Sequence, residues 1–288
     1  MKSILFSILL VMNTYAYDAF ISASELKNNL DNPKLVLLDI NSQEDYDKSH
    51  IKNALHVDIT RYISTQKNIQ TILSNIWTQR KLRQLGIQKD SDVVIYARSK
   101  EQLNASYFAM ILILSGFENV SILDGGYMTW TFKYNRLVSS EESSAKSDES
   151  YEININKNLL VNTKYVKETL NNTQLIDSRD TPYYFGTKKL LSYKLFGHIP
   201  SAKSSFYKDK FLSDFTLRDD NDIEAIFISG LELNQEQDII VYGDSVFDAS
   251  MNWFIIYKKL GFKNAKIYEG SFKKWDEENL KTTSFKWE

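Results

Sequence analysis

Short apolar runs alternate along the chain with longer stretches in which apolar residues recur at helical spacing. Runs of three to five mostly apolar residues are typical of strands that are buried on both faces. They occur at residues 35–39, 93–96, 175–177 and 239–242. The helical spacing predicts helices through Ile69, Ile72, Leu73 and Ile76 in the first half, and through Ile223, Ile226 and Phe227 in the second. Strands that alternate with helices predict a parallel sheet covered on both faces.

The two halves of the chain use the same pattern. Each has a Gly, a second Gly nine residues later and a Trp five residues after that, at Gly116, Gly125 and Trp130 and again at Gly261, Gly270 and Trp275. Equal spacing of this kind indicates an internal repeat, and therefore two similar domains. Ligands of parallel sheets bind at the carboxyl ends of the strands, which places candidate sites in the loops after Tyr96 and Tyr242.

Residues 139–150 are Ser, Glu, Lys and Asp with one Ala, and no larger apolar side chain anchors them. This composition predicts a flexible linker. The predicted domains are therefore residues 17–138 and 151–288.

The first sixteen residues have the pattern of a secretory signal peptide. Lys2 is followed by an apolar run, residues 4–12, and then by small residues at Thr14 and Ala16. The run is about half of the roughly 20 residues that a membrane-spanning helix needs. We therefore expect cleavage near Tyr17, a periplasmic or secreted protein, and no membrane span in the mature chain.

Composition narrows the chemistry. The 35 basic and 37 acidic residues nearly balance, so no overall field attracts nucleic acid, and no nucleic-acid partner is predicted. The chain has no cysteine, which excludes disulfides, thiolate metal ligands and a thiol nucleophile. It has three histidines and no Gly-rich phosphate loop, so neither a metal nor a cofactor is predicted.

Two motifs of the second half carry a family resemblance: residues 197–202 (Gly-His-Ile-Pro-Ser-Ala) and residues 268–272 (Tyr-Glu-Gly-Ser-Phe). The chain resembles the tandem rhodanese family, the thiosulfate and mercaptopyruvate sulfurtransferases. The resemblance implies an α/β fold of two tandem rhodanese-like domains, each a mainly parallel sheet flanked by helices on both faces.

In that family a cysteine begins the loop after the fourth strand of the second domain and carries sulfur as a persulfide. The resemblance places this position on Gly243, and on Ala97 in the first domain. The family's glycine at the fourth place of the loop falls on Val246, and its Arg or Thr at the sixth place falls on Asp248. No catalytic residue is therefore predicted in the degenerate loop Gly243, Asp244, Ser245, Val246, Phe247 and Asp248.

The loop of the first domain differs, because it carries the basic residues Arg98 and Lys100 around Ser99. Basic side chains at a turn into a helix are the ingredients of an oxyanion site. Arg98, Ser99 and Lys100 are therefore anion-binding candidates. The alternative is that these are solvated charges, one of them paired with Glu101.

Residues 183–196 form an aromatic and basic insertion, a composition found at protein-binding surfaces. The alternative is an ordered loop whose aromatic rings pack on its own domain.

Structural roles are expected for most other conspicuous residues. His50 and His198 hold the His-Ile position of the repeat, and Trp130 and Trp275 are expected in the two cores. The resemblance implies a structural salt bridge between Asp177 and Arg179. Three acids, Asp244, Asp248 and Glu269, are expected at the carboxyl-end face of the second domain, where we favour hydrated carboxylates over a cation site.

The residues thus favour an exported rhodanese-like protein without catalytic function, a binding scaffold for a protein partner or a small oxyanion. The alternative is a sulfurtransferase-like enzyme acting on thiosulfate or related sulfur species, with the sulfur held non-covalently or on a partner's thiol. Thiocyanate formation from thiosulfate and cyanide separates the two.

Overall fold

A computed structural model describes residues 18–66, 69–72, 75–98, 102–145 and 153–288. The predicted signal peptide, part of the predicted linker, and Ser99 and Lys100 lie outside the described residues.

The first half is an α/β unit built around one parallel sheet. In chain order its strands are β1 (Phe20–Ile21), β2 (Leu35–Asp39), β3 (His50–Ile51), β4 (Leu55–His56), β5 (Ile63–Gln66), β6 (Ile69–Ile72), β7 (Asp92–Tyr96), β8 (Val120–Leu123) and β9 (Val138–Ser139). Its helices are α1 (Ala23–Asn28), α2 (Gln43–Lys48), α3 (Asn75–Gln84), α4 (Gln102–Leu114) and α5 (Gly126–Tyr134). Five strands form the sheet, in the order β1-β8-β7-β2-β4, and all neighbours are parallel.

The second half repeats this plan. Its strands are β10 (Leu160–Val161), β11 (Thr173–Asp177), β12 (Ala202–Ser204), β13 (Asp238–Tyr242) and β14 (Lys266–Tyr268). Its helices are α6 (Thr163–Thr169), α7 (Thr181–Phe185), α8 (Asp220–Glu224), α9 (Val246–Phe254) and α10 (Ser271–Glu277), and π-helical turns at Ala225–Gly230 and Ile255–Lys259 extend α8 and α9. The sheet order β10-β14-β13-β11-β12 is the order of the first sheet, and all neighbours are again parallel.

Each sheet is buried on both faces because successive side chains of a strand point to opposite sides. In β7, Val93 and Ile95 belong to the apolar cluster that contains α4, whereas Val94 and Tyr96 pack with Trp130 of α5. The second sheet divides its side chains in the same way. The predicted α/β fold with helices on both faces is therefore confirmed.

One apolar core runs through both domains. Ten consecutive residues of α4, Ala105 to Leu114, are buried, as expected of a helix that is apolar on all sides. Helix α4 packs on α9, and the hydroxyls of Ser106 and Ser250 lie 2.7 Å apart across this contact. At the same interface the ring of Phe20 packs edge-on against Phe254.

Polar contacts join the domains around this core. The backbone N–H of Leu217 donates to Asp124 Oδ1 at 2.7 Å, and Gln102 Nε2 donates to the carbonyl of Phe215 at 2.9 Å. The interface is thus continuous with the cores of both domains, and the carboxyl ends of the two sheets are held in a fixed relation.

The predicted linker begins against the first domain. Strand β9 pairs with β3 in antiparallel fashion, the carbonyl of Glu141 lies 3.1 Å from His50 Nε2, and the N–H of Ser143 donates to the hydroxyl of Tyr46. The domain boundaries themselves stay a prediction.

One predicted helix is wrong. Residues 69–72 form β6, which pairs with β5 in an antiparallel hairpin, and only Ile76 of the predicted set falls in a helix, α3. The pattern was ambiguous because Ile69, Thr71 and Ile72 are β-branched and favour strands. Leu73 lies outside the described residues. The helix predicted through Ile223 and Phe227 is confirmed as α8 and its extension.

Within the described residues, no helix combines the length and apolar character needed to cross a bilayer.

Candidate functional site: the degenerate loop after β13

The loop that follows β13 turns directly into helix α9. Ser245 occupies the N-cap position, and Asp248 reaches back to it: the Ser245 N–H and Oγ–H both donate to Asp248 Oδ2, at 3.0 and 2.9 Å. This is a capping box, in which a side chain satisfies donors that the helix leaves unpaired. The negative group at the start of α9 is therefore a carboxylate of the chain itself.

Gly243 leaves no room for a side chain. A Cβ on Gly243 would lie 2.6 Å from the Cβ of Asp248 and 3.1 Å from the backbone nitrogen of Ala249. The carbonyl of Gly243 is also fixed, since it accepts a hydrogen bond of 2.8 Å from the N–H of Phe272. The loop is closed over the position that a family cysteine would take.

The loop is acidic. Burial raises the pKa of Asp244 to about 6, and burial also raises the pKa of Asp248. Asp244 Oδ1 is buried without a hydrogen-bond partner and lies 3.9 Å from Arg179 Nη1. A thiolate or an anionic sulfur donor at this place would meet carboxylates in place of an electropositive cradle.

Arg179 braces the loop from the end of β11. Its Nη2 donates to Asp177 Oδ2 at 2.6 Å and to the carbonyl of Gly197 at 2.8 Å, and its guanidinium carbon lies 3.7 Å from the ring centroid of Phe272. Both charged residues are buried. The expected structural salt bridge is confirmed. Although burial alone disfavours the charged guanidinium, Asp177 holds the pKa of Arg179 above its ordinary value.

Two tyrosines complete the surroundings of the loop. The Tyr242 hydroxyl donates to Asp177 Oδ2 at 2.8 Å and accepts from the N–H of Ile199 at 3.1 Å. Tyr193, from the insertion, donates to the carbonyl of Asp244 at 3.5 Å. The insertion therefore contacts the degenerate loop through Tyr193.

The first-domain loop is arranged differently. Arg98 lies 4.6 Å over the ring of Tyr127, its Nε is 3.6 Å from Asp45 Oδ1, and its N–H donates to Asn41 Oδ1 at 2.6 Å. Arg98 is thus engaged by an acid and an aromatic ring. Ser99 and Lys100 fall outside the described residues, so the anion site stays a prediction.

The first domain has no counterpart of Arg179, because Asn41 takes its place after β2. Asp39 is fully buried, its Oδ2 has no hydrogen-bond partner, and burial raises its pKa. The two domains therefore have the same sheet topology, but the charged residues at the carboxyl ends of the two sheets are arranged differently.

The histidines and tryptophans have the expected structural roles. His50 and His198 are buried, and each stacks at 3.8 Å on a tyrosine whose carbonyl oxygen lies 2.8 Å from its Nδ1, Tyr46 and Tyr184 respectively. Trp130 and Trp275 belong to the last helix of each domain, α5 and α10, and both are buried in the cores.

The described residues contain no group of three or more His, Asp or Glu side chains placed to hold a metal ion. Asp244 and Asp248 do come together at the carboxyl end of the second sheet, but Asp248 is engaged by the cap.

Sequence patterns missed two features. A cavity of about 840 Å³ lies at the carboxyl ends of β2 and β4, with Asn41, His56, Asp58 and Arg61 among its polar lining. Lys210, at the carboxyl end of β12, is almost fully buried. The capping box was visible in the sequence, since Ser-x-x-Asp precedes an apolar run at residues 245–248.

The comparisons with known proteins agree with this geometry. Residues 22–133 and 162–278 match the family model of the rhodanese-like domain. The chain belongs to the rhodanese-like domain family. The resemblance predicted from the two motifs is therefore confirmed.

Relatives of rhodanese-like sequence span most of the chain. It is 26% identical over 278 residues to the sulfur carrier protein TtuD of Thermus thermophilus, which covers 91% of this chain and 95% of that protein. It is 25% identical over 239 residues to the thiosulfate sulfurtransferase YnjE of Escherichia coli, covering 79% of this chain and 54% of that protein.

Solved structures of the same fold superpose along the whole chain. The crystal structure of YnjE gives a TM-score of 0.81 at 20% identity, over 93% of this chain and 68% of that chain. An anaerobic ergothioneine biosynthesis enzyme from Chlorobium limicola, in complex with trimethyl histidine, gives 0.79 at 20% identity, over 94% and 71%. At this identity the likeness establishes the fold.

Proposed function

We propose that this chain is an exported rhodanese-like protein that catalyses no sulfur transfer and acts as a binding scaffold for a protein partner or a small oxyanion. The observation that carries the proposal is the contact between Gly243 and Asp248. The family's nucleophile position has no side chain, and the space around it is filled by the Cβ of Asp248, the residue whose carboxylate caps α9, and by the backbone of Ala249.

Three features of the loop support the absence of catalysis. A persulfide needs a thiol, and the chain has none. An anionic donor needs positive charge, and Arg179, which lies 3.9 Å from Asp244, is already paired with Asp177. A developing negative charge needs free N–H donors, and the Ser245 N–H is taken by Asp248.

The scaffold around the loop is intact, which supports a binding role. The salt bridge at Arg179, the stacked histidines and the common interdomain core remain in place. These contacts stabilise the two domains and the interface between them, and a binding scaffold requires that stable fold.

The names of the relatives favour the alternative, a sulfurtransferase-like enzyme acting on thiosulfate or related species. No group in the degenerate loop supports it, because both carboxylates oppose an anionic donor.

The experiment is thiocyanate formation by the purified mature protein from thiosulfate and cyanide, with the Escherichia coli relative YnjE assayed in parallel. We expect the rate of the buffer alone. A protein-dependent rate that is lost when the loop is changed by Ser245→Pro would establish the enzyme and refute the proposal.

Export is tested separately, by the first residue of the protein recovered from its native host. A start near Tyr17 in the periplasmic or secreted fraction supports it, and an intact Met1 in the cytoplasm refutes it.

A further inference from the structure

Two segments far apart in sequence meet on the second domain and expose aromatic side chains. They are the insertion, residues 183–196, and the end of the chain, residues 279–288. His198 and Thr283 join them, each donating its N–H to the other's carbonyl at 2.9 Å. Gly197 permits this approach, because its φ is +83° and a Cβ there would lie 1.9 Å from the carbonyl of Thr283.

Half of the large apolar residues that are exposed in the described part of the chain lie in these two segments. Phe196 and Phe285 each lie two residues from the antiparallel pair, in matching positions, and the N–H of Phe285 donates to the carbonyl of Phe185 at 2.7 Å. Four large apolar residues of the two segments are exposed: Leu191 (104%), Phe196 (45%), Phe285 (69%) and Trp287 (59%). We call the three aromatic residues, Phe196, Phe285 and Trp287, the aromatic platform.

The rings are held in place although they are exposed. Trp287 stacks on Tyr184 at 5.4 Å with an interplanar angle of 22°, and it also lies 5.2 Å from the ring of Phe185. Phe285 packs edge-on against Phe185 at 6.0 Å. Rigid aromatic surface costs little side-chain entropy on binding, which is why such residues dominate binding energies at protein interfaces.

Both segments carry basic residues. Residues 181–197 contain Lys188, Lys189 and Lys194 and no acid, and Lys189 Nζ lies 5.4 Å from the ring centroid of Phe196. The chain end adds Lys286, whose partner Glu288 is the acid of this segment. The whole chain carries a net charge of −2, so this local positive charge runs against the average.

We propose that the aromatic platform and its lysines bind an acidic, aromatic-containing segment of another protein. This names the partner class of the proposed binding role and rests on that proposal. The charge selects an acidic partner, and the fixed rings offer contact surface for its apolar side chains. A membrane is a less suitable partner for this surface. One side of each ring, Trp287 and Phe285, packs on residues of its own domain, so the rings do not project to insert into a bilayer.

The probe is a fluorescein-labelled synthetic peptide that alternates Glu and Phe, compared by anisotropy with peptides that alternate Lys and Phe or Glu and Ser. We expect saturable binding of the Glu-Phe peptide that weakens as salt is raised, and at least about tenfold weaker binding of the other two, since tenfold corresponds to about 1.4 kcal/mol.

Two variants separate the contributions of the aromatic rings and of the lysines to the binding affinity. Phe196→Ser with Phe285→Ser removes exposed rings, and Lys188→Glu with Lys194→Glu reverses charge. Each should weaken binding at least about tenfold, or 1.4 kcal/mol. The matched control, Phe132→Ser with Lys133→Glu, changes an exposed ring and an exposed lysine on the first domain and should leave affinity unchanged. Unchanged urea midpoints show that each variant is folded.

Several outcomes overturn the proposal. They are no binding of the Glu-Phe peptide, equal binding by the platform variants, or equal binding of the Lys-Phe peptide. Binding to phosphatidylglycerol vesicles without peptide binding would assign the surface to a membrane. A dimer in light scattering that dissociates on Phe196→Ser with Phe285→Ser would assign it to a second copy. None of these outcomes touches the absence of catalysis, which the thiocyanate assay tests alone.

Discussion

The Cβ of Asp248 lies 2.6 Å from the point that a Cβ on Gly243 would occupy. The same residue places its carboxylate on the N–H and hydroxyl of Ser245 at the start of α9. The start of a helix favours negative charge. In this chain an internal carboxylate takes that place, so the loop is stable as it stands and needs neither a thiolate nor a bound anion.

The steric part of this relationship can be measured through stability. Gly243→Ala should lower the free energy of unfolding by about 1–3 kcal/mol, the usual cost of inserting a methyl group into closely packed space. In an Asp248→Gly background the same substitution should cost less, because the nearest clashing atom is gone. Urea denaturation of the wild type, the two single variants and the double variant gives the coupling free energy between the two positions. Additive costs would mean that the backbone of Ala249 alone sets the limit.

The electrostatic part can be measured on an introduced thiol. Gly243→Cys should give a thiol whose pKa lies above its ordinary value, and adding Asp248→Asn, which keeps the shape, should lower that pKa by at least about one unit, or 1.4 kcal/mol. The pH dependence of iodoacetamide alkylation reports the value.

Restoring the thiol alone should not restore the enzyme. The triple variant Gly243→Cys, Val246→Gly and Asp248→Arg should form far more thiocyanate than Gly243→Cys, because it also removes the carboxylate and a β-branched side chain from the loop. Equal activity of the single and triple variants would mean that one lost residue explains the inactivity.

The fold could be predicted because its signals are local. The apolar runs that lead to Asp39 and Tyr96 are uninterrupted. The equal spacing of the glycines in the two halves indicates the repeat even though the intervening residues differ. The segment around Ile69 failed because an apolar pattern of four residues fits a β-branched strand and a helix equally well, and only the pairing with β5 decides.

The composition of the site could be predicted, but its packing could not. The sequence identifies Gly243 and Asp248 as departures from the family loop. That their atoms compete for one space follows only from the turn into α9. The sequence indicated only one part of the aromatic platform, the insertion. The other part lies some ninety residues later and joins it through the pairing of His198 with Thr283.

The buried pair of Asp177 and Arg179 should be strongly coupled. Arg179→Met leaves a buried carboxylate without its partner and should cost about 3–5 kcal/mol of unfolding free energy. Asp177→Asn with Arg179→Met should cost clearly less than the sum of the two single changes. A double-mutant cycle in urea measures the difference. A cycle without coupling would show that packing against Phe272, not charge, is what Arg179 contributes.

Oxyanion binding by the first domain should depend on Arg98. Asp45→Asn releases the guanidinium from a partly exposed ion pair worth about 0.2–1 kcal/mol, so it should tighten binding of thiosulfate or sulfate by up to about fivefold. Arg98→Ala with Lys100→Ala should abolish binding, and the exposed Arg136→Ala serves as control. Titration calorimetry makes the comparison. If oxyanion affinity is the same in Asp45→Asn and in Arg98→Ala with Lys100→Ala as in the wild type, the anion does not bind at this site.

Lys210 should make stability depend on pH in the alkaline range. The residue is 2% exposed, and its ammonium group donates to two neutral acceptors, Ser205 Oγ at 2.7 Å and the carbonyl of Phe206 at 2.8 Å. Burial lowers its pKa to about 7. Between about pH 7 and the ordinary lysine value near 10.4, the unfolded chain therefore holds a proton that the folded chain has released.

The sign follows from that difference in bound protons. Stability rises with pH wherever the unfolded state binds more protons, here by up to about 1.4 kcal/mol per pH unit. Lys210→Met has no proton to release, so its unfolding free energy should rise less steeply between about pH 7.5 and 9.5, by roughly 3 kcal/mol over the window. Urea denaturation at several pH values measures the slopes. Lys208→Met, at an exposed position two residues earlier, should keep the wild-type slope. Parallel slopes for wild type and Lys210→Met would mean that the buried amine keeps its proton in the folded protein.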